Sequence, residues 1–148
     1  MTSDHLLKPV VWVHGDCLDP GGPALAAHPH APALWVWDDA LLDHWNIGLK
    51  RIVFITECLL ELPVAIRRGM VPREVIAFAR EHGADHVVTT ESPSPRFRAI
   101  VAAIEPTLPV VVMPVPPFLP YAGPLDLSRF GAYWDVAKRH VFGQPPLF

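Results

Sequence analysis

The chain has 148 residues, 51% of them hydrophobic and 18% charged, with a formal net charge of −3. That size and apolar content fit one folded domain, residues 1–148, with a real core, and they exclude a disordered chain. The acidic balance excludes a protein that grips nucleic acid through a basic face.

The amino-terminal stretch MTSDHLLKP lacks the apolar centre of a signal peptide, and no uninterrupted apolar run approaches a membrane span. Val10-Val11-Trp12-Val13 is a short continuous apolar run, the pattern of a strand buried on both faces. A turn containing His14, Asp16 and Cys17 follows. Gly21-Gly22-Pro23 then leads into a brief helix at Ala24–Ala27, with Pro23 near its first turn. Ala33–Trp37 is a second buried strand, ending at Asp38-Asp39.

Leu49, Ile52, Val53, Thr56, Leu59 and Leu60 recur at helical spacing, so the segment up to Leu62 is expected to be a helix ended by Pro63. The β-branched Arg51–Ile55 stretch would also suit a strand. Val64-Ala65-Ile66 is a short third strand closed by Arg67-Arg68-Gly69. Pro72 opens a helix with Val75, Phe78, Ala79 and His82 on one face and Gly83 as its C′ residue. His86–Thr90 is strand four. Ser94-Pro95 supplies an N-cap and an N1 proline for a helix with Phe97, Ile100, Val101 and Ile104 as its buried stripe. Val110–Met113 is strand five, and Ser128 is expected to cap a last helix carrying Phe130, Trp134, Ala137 and Val141 on one side. Eighteen prolines, about twice the usual ~5% frequency, punctuate these segments.

Alternating strands and helices with apolar strands predict a parallel sheet covered on both faces. Right-handed crossovers make it a three-layer, Rossmann-like, doubly wound α/β fold of five strands in the order 3-2-1-4-5, with a carboxy-terminal tail helix. In such a sheet ligands bind beyond the carboxyl ends of the strands at the switch point, here between strands one and four. The residues expected there are His14, Asp16, Trp37, Asp38, Thr90, Glu91 and Ser92, with backbone N–H groups of Gly21 and Gly22 facing a phosphate.

Sharper motifs are missing. Gly15, Gly21 and Gly22 do not make GxGxxG, and neither GxxxxGK[ST] nor GxSxG occurs. Cys17 beside His14 reads first as a small packed residue rather than a nucleophile with its base. His28, His30 and His44 read as surface-loop residues rather than metal ligands, so no metal is expected. Asp16 and Glu91 are either caps or a carboxylate pair at the rim. The clusters Lys50-Arg51, Arg67-Arg68, Arg96/Arg98 and Lys138-Arg139 read as solvated helix ends. Trp35 and Trp37 share a strand face, so at least one belongs to the core, while Trp45 is the tryptophan expected at the surface. Cys17 and Cys58 lie far apart, as expected of free thiols in a cytoplasmic protein.

Trp12, Asp16, Ala24 and Leu25, then Phe54-Ile55 and Glu57-Cys58-Leu59, then the run from Arg67 to Val88 with its Gly-Ala turn, resemble in order the N-terminal α/β domain of the photolyase/cryptochrome family. His14, Cys17 and Leu18 stand where that family has Arg, Leu and Arg, and Gly21-Gly22 where it has Asp-Asn. The resemblance implies a domain that holds an antenna such as a folate, deazaflavin or flavin. It further implies that the helical FAD-binding domain is absent from these 148 residues and is supplied as a separately encoded partner, in light response or DNA repair.

Three functions are therefore expected in descending order. The first is binding of a small cofactor or nucleotide at the carboxyl edge of the sheet. The second is a ligand-free interaction or homo-oligomerisation module, with the apolar tail Phe142–Phe148 lying on a partner or on its own core. The third is a small-molecule enzyme using Asp16, Glu91 or Cys17.

Overall fold

The computed structural model describes residues 7–44 and 46–142, in two compact units, Met1–Val115 and Pro116–Phe148. Trp45 and most of the tail segment Phe142–Phe148 lie outside the described residues.

The first unit runs β1 (Pro9–Val13), α1 (Pro23–Ala27), β2 (Ala33–Trp37), α2 (Asp39–His44), α3 (Leu49–Leu60), β3 (Ala65–Arg68), α4 (Val71–Glu81), β4 (His86–Thr90), α5 (Pro95–Ile104) and β5 (Val110–Met113). The five strands form one parallel sheet in the order β3-β2-β1-β4-β5. The α/β class, strand order and doubly wound layering are thus those expected from the sequence.

Alternation along each strand divides the core in two. Val10, Trp12, Leu34, Val36 and Val87 meet Val71, Val75, Phe78 and Ala79 of α4 and Phe97, Ile100 and Ile104 of α5. Val11, Val13, Ala33, Trp35 and Val88 face the other way, onto Ala24 and Leu25 of α1 and Leu59 of α3. Each Val, Leu, Ile or Phe side chain among them stabilises the fold by roughly 1.5–3 kcal/mol on leaving water.

The edge strands depart from the expectation of burial on both faces. Ile66 of β3 and Val111 and Val112 of β5 stay exposed. Arg67 and Arg68 belong to β3 itself, which corrects their reading as a solvated helix end. Arg67 lies 5.0 Å over the Phe78 ring and pairs with Glu81, and Arg68 pairs with Asp39 at the start of α2. Charge on an edge strand discourages pairing with another sheet.

α2 was not anticipated. Asp38 begins it by accepting the Ala40 N–H through Oδ1 at 3.0 Å. α4 ends in a Schellman motif: Ala84 N–H reaches the Ala79 carbonyl at 2.8 Å, Gly83 N–H reaches that of Arg80 at 3.1 Å, and Gly83 takes φ +61°.

In the second unit α6 (Phe130–Phe142) follows a proline-rich connection. Ser128 does not cap it directly; its N–H bonds Asp126 at 2.9 Å, two residues before the helix start. Phe130 stacks on Trp134 at 5.9 Å, and Trp134 meets Phe142 edge-on. No helix among the described residues is long and apolar enough to cross a membrane.

Candidate functional site

The parallel order brings the turns after β1 and β4 to one rim, and three contacts lock them together. His14 Nε2 lies 2.6 Å from the Thr90 carbonyl, Ser92 donates its hydroxyl to Asp16, and Ala24 N–H bonds Thr90 Oγ1 at 3.3 Å. Beneath them Thr89 Oγ1 donates to the Trp12 carbonyl at 2.8 Å. The buried hydroxyls of Thr89, Thr90 and Ser92 therefore all have partners, as buried polar groups require.

His14 packs against both Trp12 and Phe97, with ring centroids 5.4 and 5.1 Å away. Burial pushes its imidazole below the ordinary value, and the Thr90 carbonyl and Asp16 oppose that shift. Since a carbonyl can only accept, Nε2 carries the proton. Nδ1 is then free to accept the Asp16 N–H at 3.3 Å.

Beside this knot, over the carboxyl ends of β1 and β2, opens a cleft of about 510 Å³. That volume lies within the usual range of ligand sites, ~300–1,000 Å³. Its walls carry Trp12, Trp35, Trp37, Phe54 and Phe97, and its polar groups include Asp16, Asp38, Arg51, Ser94 and Arg96. Arg96 pairs with Asp38, tying the start of α5 to the end of β2. Trp35 and Trp37 meet edge-on at 5.6 Å. Among the described residues the indole N–H of Trp35 is buried with no hydrogen-bond partner. An orphan of that kind costs about 1–3 kcal/mol.

Of the residues anticipated from the sequence, His14, Asp16, Trp37 and Asp38 line this cleft. Thr90 and Ser92 stand behind it and brace the His14–Asp16 turn. Glu91 points elsewhere and accepts the Val115 N–H at 2.7 Å. The Gly21–Gly22 turn is turned in on itself. Gly21 N–H goes to Asp19 Oδ1 at 2.8 Å and Gly22 N–H to the Asp19 carbonyl at 2.9 Å, so neither is free for the phosphate expected there. Gly22 is needed for closeness, since a Cβ there would lie 2.6 Å from Cys17 Sγ and 3.0 Å from the Asp19 carbonyl oxygen. Cys17 is half-buried against that turn and does not line the cleft.

Sequence reasoning missed Trp35 as a site residue, and it missed Arg51, Arg96 and Phe97 entirely in that role. Lys50 and Arg51 are exposed in the first turn of α3, as a solvated helix end would be, although Arg51 also borders the cleft, whereas Arg96 is engaged with Asp38. One signal for Arg51 was present: positions three and four residues away on either side, Ile47, Gly48, Phe54 and Ile55, hold no carboxylate to pair with it. Among the described residues no group of three or more His, Cys, Asp or Glu stands together as a metal site.

Fold and site together define a doubly wound α/β protein with an open cleft above its first two strands. No family model matches the chain, and no curated protein matches it. Among solved structures the chain is similar to that of the hypothetical protein MJ0577, at 14% identity over 74% of this chain and 97% of that one, with a TM-score of 0.44. These findings overturn the resemblance to the photolyase/cryptochrome family and the light-response and DNA-repair roles it implied. The physical reason is visible in the fold. Trp12 fills a strand, Ala24-Leu25 buries one helix and Gly83-Ala84 closes another. Any sheet wound this way asks for such residues at such places.

Proposed function

We propose that the protein binds a small ligand with a planar ring, a cofactor or nucleotide, in the cleft over β1 and β2. The observation that carries this reading is the cleft itself: about 510 Å³, walled by aromatic rings, with a few charged groups at one rim. Catalysis is not part of the proposal, because Cys17 and Glu91 are engaged outside the cleft and Asp16 is held by Ser92. With both cysteines free, a cytoplasmic location suits the protein.

The test is a titration of tryptophan fluorescence with nucleotides and planar-ring cofactors, since Trp12, Trp35 and Trp37 border the site. At least one compound should quench saturably, and Asp16→Asn should weaken it several-fold while far-UV circular dichroism stays unchanged. A panel that leaves emission and thermal midpoint untouched would remove the reading.

A second reading, self-association, has one observation in its favour. Leu49, Val53 and Leu60 are exposed along α3 at helical spacing. Light scattering at rising concentration decides it; a constant monomer mass ends it.

A further inference from the structure

α3 carries an apolar stripe that its own fold leaves uncovered. Leu59 is buried in the core with Val13 and Trp35, and Ile55 packs against that cluster. Leu49, Val53 and Leu60 do not join it; they are 74%, 47% and 78% exposed. Together with the half-buried Thr56 they follow one another at intervals of four, three and four residues. That is the a/d spacing of a helix–helix seam. Ile66 adds to the apolar surface on this side. Its register with Trp35 puts it on the sheet face that α3 covers, and it too is exposed.

Single exposed leucines need no partner, but the charges beside this stripe point to one. Lys50 and Glu57 lie along the same flank of it, both exposed, and neither forms an ion pair among the described residues. Two helical turns, about 10 Å of rise, keep them from pairing with each other. A second copy laid antiparallel across the stripe brings this flank against its own counterpart with the direction reversed. Leu49 then meets Leu60 of the second copy, Val53 meets its Thr56, and Lys50 comes within side-chain reach of its Glu57. The two-fold axis repeats each contact. A parallel copy would instead set Lys50 and Glu57 against the half-buried Ile52 and the buried Leu59, where no charge waits.

We propose that two copies of this chain form a two-fold dimer by antiparallel pairing of α3. This inference rests on the reading of α3 as a self-association surface and adds the partner's orientation and the ion pairs that fix it. Arg51, Phe54 and Ile55, which line the cleft, lie off the seam, so the dimer forms without a ligand. Three turns of helix make a small interface, so the pairing is expected to be weak and to loosen as salt is added.

The experiment is sedimentation velocity on the ligand-free full chain, from low micromolar to near-millimolar concentration, with Lys50→Glu and Glu57→Lys made separately. Either variant sets like charges against each other at both symmetric pairs and should weaken the dimer about ten-fold. An equimolar mixture of the two restores opposite charges at both pairs, so it should associate as tightly as wild type. A variant that merely misfolded could not be rescued in this way. Leu60→Asp, at an exposed position, should leave the chain folded by circular dichroism and monomeric. A wild-type mass that stays monomeric throughout overturns the proposal together with the self-association reading. A dimer that neither charge variant weakens, or that the mixture fails to restore, overturns the antiparallel α3 pairing and leaves self-association standing.

Discussion

The His14 ring serves two loops at once, and it can do so only when neutral. Nε2–H donates to the Thr90 carbonyl while Nδ1 accepts the Asp16 N–H. Adding a proton at Nδ1 would abolish that second bond and place charge against the Trp12 and Phe97 rings. Burial accordingly lowers the folded pKa below the ordinary 6.5. Below that ordinary value the unfolded chain takes up a proton that the folded protein resists. The contribution of His14 is therefore complete above pH 6.5 and is lost as pH falls through the lower, folded value. Denaturant unfolding of wild type and His14→Gln between pH 7.5 and 5 checks this. Glutamine can still donate to Thr90 and accept from Asp16 without titrating. The stability difference between the two should shrink as pH falls, with the other histidines cancelling in the comparison; a flat difference would refute the argument. At this scale the sequence was only partly readable. His14, Asp16, Trp37 and Asp38 could be placed because they end strands, and the end of a parallel strand has a known address. Trp35 and Arg51 could not. Strand periodicity assigned one to the core without revealing an unmet N–H, and a charge pair at a helix start looks the same whether it faces bulk water or a cleft.

Elements were legible where local chemistry and burial agreed. β4 and β5 fall at the residues expected from apolar run and proline boundaries, and α5 begins at the Ser94-Pro95 signal. The Ser94 side chain nonetheless makes no cap bond and instead borders the cleft. α2 escaped because six residues give too little periodicity, although Asp38 ahead of Leu41-Leu42 was a usable start signal. β3 was placed about one residue early, because two arginines read as the end of a strand. On a sheet edge they can lie along its surface and still reach Glu81 and Asp39. Gly83 gives this scale its sharpest test. Its φ of +61° is left-handed, and a Cβ there would meet nothing within 4 Å. Any cost of Gly83→Ala is therefore backbone strain alone, about 1–2 kcal/mol. Gly83→Asn should recover part of it, since Asn tolerates that conformation better. Urea midpoints in the order Gly, Asn, Ala would support the cap; equal midpoints for Gly and Ala would exclude strain there.

The strand order of the whole molecule followed from alternation and apolar runs, because a parallel sheet with helices on both faces admits few windings. The family likeness failed for the same reason: a residue series that many such sheets share carries architecture and little ancestry. What the sequence did not show was the division of the chain into two compact units after Val115. Both halves of the core are drawn from residues between Val10 and Met113, and all five strands lie within that span. The last contact completing the sheet is local as well, since Glu91 holds the Val115 N–H just past β5. Residues Met1–Val115 should therefore fold without the segment that follows. Expressed alone, that fragment should unfold in urea as a single cooperative transition. Its tryptophans report on both core faces, Trp12 stacked on Phe97 at 5.6 Å and Trp35 packed on the opposite side. Their emission should be blue-shifted in the native fragment and move red together with the loss of far-UV circular dichroism. A fragment with strong dye binding, non-coincident transitions and no sharp midpoint would mean that the core requires residues beyond Val115.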